Sequence, residues 1–229
     1  MERKYKKTLS AAHLGYVVQS ININFAPLLF ITFNKTFGIS LELISVLIAA
    51  NFITQLITDL VAAAVIDRTG YKIPAVIAHG FVAIGLILLG ILPFVMSSFY
   101  GILIAIILYA MGGGLLEVLL SPIVESVPTE NKEREMIKLF AFYSWGQVIV
   151  VLLSVCFLTA FGVENWPYLA MIWAILPICN GLLFMFVPMN KLITHETNKV
   201  PLKTLFKNKY FFVFLMIMFL TGAVEQGMS

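Results

Sequence analysis

The chain has 229 residues, of which 60% are hydrophobic and 12% charged, with a mean hydropathy of +0.96. A soluble domain carries about 25% charged residues, so a water-soluble fold is excluded and the chain reads as a polytopic membrane protein. The two cysteines, Cys156 and Cys179, lie in apolar stretches and suggest neither a disulfide framework nor a zinc site.

The start, "MERKYKKTLS", has the basic character of a signal-peptide n-region. The apolar run that follows is too long for an h-region, carries Gln19, Asn22 and Asn24, and closes on no small-residue cleavage site. It therefore reads as a retained first span. A membrane helix needs about 20 mostly apolar residues, and that rule places six spans at roughly 10–33, 41–66, 74–96, 99–124, 136–161 and 167–188. A seventh begins at Tyr210, and the sequence stops at Ser229 part-way through it. The domain expectation is a six-helix transmembrane domain over 1–188, a cytoplasmic central loop over 189–209 and a truncated start of a second transmembrane domain over 210–229. The ending suggests a fragment or a truncated gene.

The connectors alternate in character. "NKTFGIS", "MSSF" and "GVENW" are nearly uncharged, whereas "DRTGYKIP", "ESVPTENKEREMIK" and the loop after Met189 are charged and basic. With the N-terminus inside, 14 of the 15 lysines and arginines fall on the cytoplasmic side and Lys35 alone falls outside. Such segregation sets the orientation, and one missed or extra span would scramble it. Helices rather than a barrel follow from span length, because barrel strands run only about 9–11 residues.

Ionisable groups inside a bilayer are costly and usually face a bundle interior or a wet cavity. Glu117 lies within "MGGGLLEVLLSP", about seven residues from the cytoplasmic end of span four, which puts it on the order of 10 Å deep. Gly113, Glu117, Ser121 and Glu125 share one helix face at four-residue spacing. The functional reading of Glu117 is a substrate-binding or proton-accepting carboxylate, and the bland one is a helix-packing hydrogen bond. For Gly112 to Gly114 close helix packing is the better reading.

Span two carries the stripe Asn51, Gln55 and Asp59, span one Gln19, Ser20, Asn22 and Asn24, and span five Tyr143, Ser144 and Gln147. Gln19, Asn24, Asn51, Gln55, Tyr143 and Gln147 are the candidate substrate-binding groups, with helix glue the alternative for each. Spans one, two, four and five would then line a polar cavity, with three and six behind them. His79 reads as structural. An intramembrane enzyme would need a catalytic constellation, and Asp59 with Glu117 is the one carboxylate pair on offer, with no histidine near it. No enzyme activity, metal or cofactor is expected, and no nucleic-acid partner. In the connector after span two, Asp67 falls at a helix C-terminus, where a negative charge opposes the helix dipole and calls for a partner.

"DRTGYK" resembles the loop signature Gly-x-x-x-Asp-Arg-x-Gly-Arg-Arg/Lys of the major facilitator superfamily. Asp67, Arg68, Gly70 and Lys72 match it, while Ala63 replaces its first glycine and Tyr71 an arginine. The resemblance implies an all-α membrane protein, the six-helix N-terminal half of a twelve-helix bundle plus a truncated seventh helix. The missing C-terminal half would belong to the full-length chain. "GLLEVLLSP" followed by "FAFYSWGQ" is similar to the fucose-permease-like branch, through Gly114, Glu117 and Pro122 and then Phe142, Ser144 and Gly146. That similarity implies a sugar-binding and proton-coupling role for Glu117. The branch's span-one aspartate, four residues before a proline, corresponds here to Ile23.

The family pattern implies two six-helix halves rocking around a midplane site, with Asp67, Arg68, Gly70 and Lys72, and Asp59 grouped with them, as the conformational motif. The leading reading is a secondary active transporter in the cytoplasmic (inner) membrane, moving a small polar solute, a sugar by preference, by alternating access with proton coupling. The alternatives are a facilitator or exporter of another solute class, such as a drug or organic acid, and an inactive half-length transporter-fold protein.

Overall fold

The computed structural model describes residues 5–189 and 208–228, apart from the side chains of residues 63, 64, 67, 219 and 222–228. Among the described residues it is all-helical, with six helices long and apolar enough to cross a membrane. These are α1 (Lys6–Phe37), α2 (Leu41–Thr69), α3 (Lys72–Val95), α4 (Ser98–Ser126), α5 (Lys132–Phe161) and α6 (Trp166–Phe186), with a 3-10 turn at Val163–Asn165 leading into α6. The chain divides into two compact units. The first holds α1 to α6; the second holds α7 (Lys209–Met228). Residues 190–207, most of the expected central loop, lie outside the described residues.

The helices begin and end beyond the apolar runs because the backbone stays hydrogen-bonded past the hydrocarbon. Ser40 caps α2 by accepting from the Leu43 N–H, and Asn131 caps α5 by accepting from the Arg134 N–H at 2.8 Å. Both satisfy an amide that the first turn leaves unpaired. At the other end of α2, helix continues through the charged motif to Thr69 and is stopped by Gly70, at φ 74° and ψ −174°. That backbone conformation is essentially restricted to glycine. The Gly70 N–H still closes on Ile66 O at 2.9 Å, so chain reversal is compressed into Gly70 and Tyr71 before α3 starts at Lys72.

Within the first unit α4 is the hub, packed on α3, α2 and α1, while α5 packs chiefly on α1 and α6 on α3. Small residues make this possible, since in a membrane close backbone approach replaces the hydrophobic effect as the packing drive. A Cβ added to Gly85 would lie 2.6 Å from the Tyr109 nitrogen, so α3 and α4 run in near-backbone contact there. Helices α2 and α5 form the outer members: only 17% of each apolar window is buried inside the unit, against 50% or more in α1, α3 and α4.

Helices α3 and α6 pack on one another, with α4 the main other neighbour of α3 and α1 that of α6. His79 and Asn180, the two polar groups that the sequence places in these spans, meet. Asn180 Nδ2 lies 2.8 Å from His79 Nε2 and donates to Ala11 O at 3.0 Å, while His79 Nδ1 lies 2.7 Å from Ala75 O. Both residues are buried, and together they tie α3, α6 and α1. The structural reading of His79 is thus accounted for by its partners.

Candidate functional site

The consecutive glycines of α4 each meet a different helix. Successive residues of an α-helix point about 100° apart, and here the three directions are taken by α3, α1 and α2 in turn. A Cβ at Gly112 would fall 2.5 Å from Ala78 O and 2.8 Å from the Val82 nitrogen. One at Gly113 would collide with the Asn22 amide and lie 3.1 Å from Gln19 Oε1, and one at Gly114 would lie 2.8 Å from Asp59 Oδ1 and 3.0 Å from Gln55 O. The close packing expected of this triplet is present, and what it brings together is polar.

On the α1 side, Gln19 and Asn22 are 1% and 2% exposed, and neither amide has a hydrogen-bond partner on its nitrogen or its oxygen. Each such orphaned group costs about 1–3 kcal/mol, so the seam between α1 and α4 holds considerable unspent hydrogen-bonding capacity. On the α2 side, Gln55 is 7% exposed with Nε2 unpartnered, and Asn51 Oδ1 and Asp59 Oδ1 are likewise buried and unpartnered. Asn24 is turned elsewhere, its Nδ2 donating to Ser20 O of its own helix at 2.9 Å.

The α5 segment "FAFYSWGQ" lies along α1. Phe142 stacks on His13 with ring centroids 4.7 Å apart, and Tyr143 meets Tyr16 edge-on at 5.4 Å. Ser20 Oγ lies 3.0 Å from Tyr143 O and 2.9 Å from Tyr16 O, both of them acceptors for its one proton. Gly146 admits this approach, since a Cβ there would lie 2.6 Å from Ser20 Oγ. Tyr16 also reaches α4, where its hydroxyl lies 3.2 Å from Ser121 Oγ. Gln147 is half-buried one turn beyond Tyr143, and Ser144 turns outward, donating to Phe140 O at 3.2 Å.

Glu117 is exposed on α4, one turn after Gly113 and one before Ser121, within electrostatic range of Tyr16. The face shared by Gly113, Glu117, Ser121 and Glu125 thus runs from a buried glycine to exposed carboxylates. Arg68 and Lys72 are exposed on either side of Gly70; the Asp67 side chain lies outside the described residues. Asp59 is placed with the α4 glycines rather than with that charged turn, ten residues earlier on α2 and so about 15 Å away along the axis.

Two contributors were not singled out from the sequence. His13 is 91% buried on the α5 side of α1, and its Nε2 has no hydrogen-bond partner. Nothing in its neighbours in sequence announces the Phe142 ring that covers it. Asn22 stands in the polar stretch with Gln19, but its contact with Gly113 depends on which turn of α4 lies opposite.

No curated protein sequence matches the chain. The family model of the Major Facilitator Superfamily matches residues 12–229. With six membrane-length helices arranged around a glycine-packed α4 and a charged turn after α2, this is a multi-pass membrane transporter, and the chain belongs to the major facilitator superfamily.

Proposed function

We propose that the transporter carries a small polar solute, a sugar before other classes, by alternating access, with proton coupling through Glu117. The observation that carries the reading is the position of Glu117. It is an exposed carboxylate on the same α4 face as Ser121, whose hydroxyl meets Tyr16, with Tyr143 and Gln147 on the neighbouring α5. Hydroxyls, phenols and amides at one level of a bundle suit a solute rich in hydroxyl groups. A neutral solute is favoured over an anion, because among the described residues every lysine and arginine lies within two turns of a helix end.

In this reading Glu117 takes a proton when exposed to one side and yields it after the reorientation. Gln19, Asn51 and Gln55 supply hydrogen bonds to the solute. The turn of Asp67, Arg68, Gly70 and Lys72 favours one end state through charge contacts at the cytoplasmic face. The protein lies in the cytoplasmic membrane with its N-terminus inside, and α1 to α6 work against a second six-helix half.

The test is solute uptake into vesicles under an imposed pH gradient, normalised to folded protein. Glu117→Gln should abolish proton-driven accumulation yet retain solute exchange, because the amide still hydrogen-bonds hydroxyls; Glu117→Ala should lose both. Normalised accumulation in the Gln variant equal to that of the parent would show that Glu117 serves packing alone.

A further inference from the structure

Helix α2 packs on α4 but only lightly on α3. The reversal at Gly70 and Tyr71 joins α2 to α3, and α4 is packed against both. Among these three helices an apolar groove of about 310 Å³ opens on the outside of the first unit. One wall is a stripe of α2 at four-residue spacing, Ile57, Val61, Val65 and Thr69, all exposed. The other wall starts at Ile73 of α3, and Met111 and Leu115 of α4 form the floor.

The hydroxyls in this lining do not make it polar. Thr58 Oγ1 donates to Thr54 O at 2.8 Å and Thr69 Oγ1 to Val65 O at 2.9 Å, so both turn back onto their own helix. Neither proton is left for a solute, and the groove favours hydrocarbon. From Ile57 to Thr69 the stripe runs about 18 Å along the helix axis. One leaflet contributes about 15 Å of the hydrocarbon of a bilayer. The groove thus reaches from the helix end to the middle of a membrane, the depth of one lipid tail. A helix about 10 Å across is too wide for a groove of that length and volume.

The mouth of the groove is charged. Arg68 and Lys72, each next in sequence to a lining residue, are exposed on either side of Gly70. Asp67 shares the turn, so the three side chains sum to one positive charge. A cationic side chain at a membrane surface favours an anionic headgroup by about fivefold in affinity. Apolar walls of leaflet depth and two cations at the open end match the two parts of one kind of molecule.

We propose that the groove is a phospholipid site, in which one tail of an anionic phospholipid lies along the α2 stripe and its phosphate rests between Arg68 and Lys72. The site is separate from the solute pathway at Glu117, and its occupancy is measured without transport.

The test places the purified protein in phosphatidylcholine nanodiscs doped with a probe lipid that carries a diazirine on one tail. The headgroup of the probe is phosphatidylglycerol, phosphatidylcholine or phosphatidylethanolamine, and crosslinked residues are mapped by peptide mass spectrometry. The phosphatidylglycerol probe should label Met111 and Leu115 on the order of tenfold more strongly than either zwitterionic probe. Arg68→Gln and Lys72→Gln should each cut that preference about fivefold. Val61→Trp, at an exposed position of the stripe, should fill the groove and lower floor labelling by all three probes. Labelling of the exposed Ile175 and Leu182 on α6 should stay as in the parent. Should Val61→Trp not fold, Ile77→Trp obstructs the groove from the α3 wall instead. Equal floor labelling by the three headgroups, a preference that survives both charge substitutions, or floor labelling unchanged in the folded tryptophan variant overturns the proposal. Absence of floor labelling in the parent does so too, and means that protein rather than lipid covers the groove.

Discussion

Asn180 on α6 donates its side-chain amide to His79 Nε2 on α3 at 2.8 Å and to Ala11 O on α1 at 3.0 Å. The contact assigns the histidine. Ala75 O can only accept, so the proton is on Nδ1 and Nε2 is the acceptor. One buried amide thereby joins three helices.

Replacing Asn180 with Ala strands His79 Nε2 in a dry interface, while Ala11 O loses its second donor and keeps the intrahelical bond of α1. An orphaned group costs about 1–3 kcal/mol, and the variant should melt several degrees below the parent in a thermal unfolding assay in detergent. His79→Leu should be milder, because it removes the acceptor together with its demand, although Asn180 keeps its bond to Ala11. Equal stability of Asn180→Ala and the parent would mean that the network contributes nothing.

The glycine triplet of α4 makes a ranked prediction. Alanine gains about 1 kcal/mol of helix propensity over glycine at every position, so the differences report the contacts. At Gly112 the methyl meets backbone atoms of Ala78 and Val82, which cannot step aside, and overpacking of this kind costs about 1–3 kcal/mol. At Gly114 it meets the Asp59 carboxylate and Gln55 O, one movable and one not. At Gly113 it meets only the ends of Asn22 and Gln19, which can rotate away. Thermal stability should therefore fall most for Gly112→Ala, less for Gly114→Ala and least for Gly113→Ala. A Gly113 variant less stable than the Gly112 one would contradict the assignment of faces.

For orientation, cysteines placed singly at Ser98 and Thr129 should label from opposite sides of the membrane, since they begin and follow the same helix, α4. The exposed Cys156 and Cys179 must first be replaced. Thr129 should react only from the cytoplasmic side. Labelling of both from outside would refute the inward N-terminus.

Composition and periodic apolar length alone were enough to read a six-span helical protein, because a bilayer leaves the backbone no alternative to internal hydrogen bonding. The charged turn was legible for a local reason: Gly70 holds a backbone conformation that other residues avoid, within four residues of Arg68 and Lys72. Helix boundaries were less legible, since hydropathy senses hydrocarbon, whereas Ser40 and Asn131 cap their helices beyond it.

Spacing along one helix also placed Gln55 and Asp59 on a common face, and Glu117 and Ser121 on another. It could not say which helix each face meets. That Gly113 faces the amides of Gln19 and Asn22 while Gly114 faces Asp59 depends on the rotation of α4 against α1 and α2. The pairing of His79 with Asn180 joins residues 101 positions apart. Such contacts are set by how whole helices pack, through small residues whose effect is to let backbones approach. The tertiary structure decided them because a packing interface is a property of two surfaces, and the sequence of either helix specifies only one.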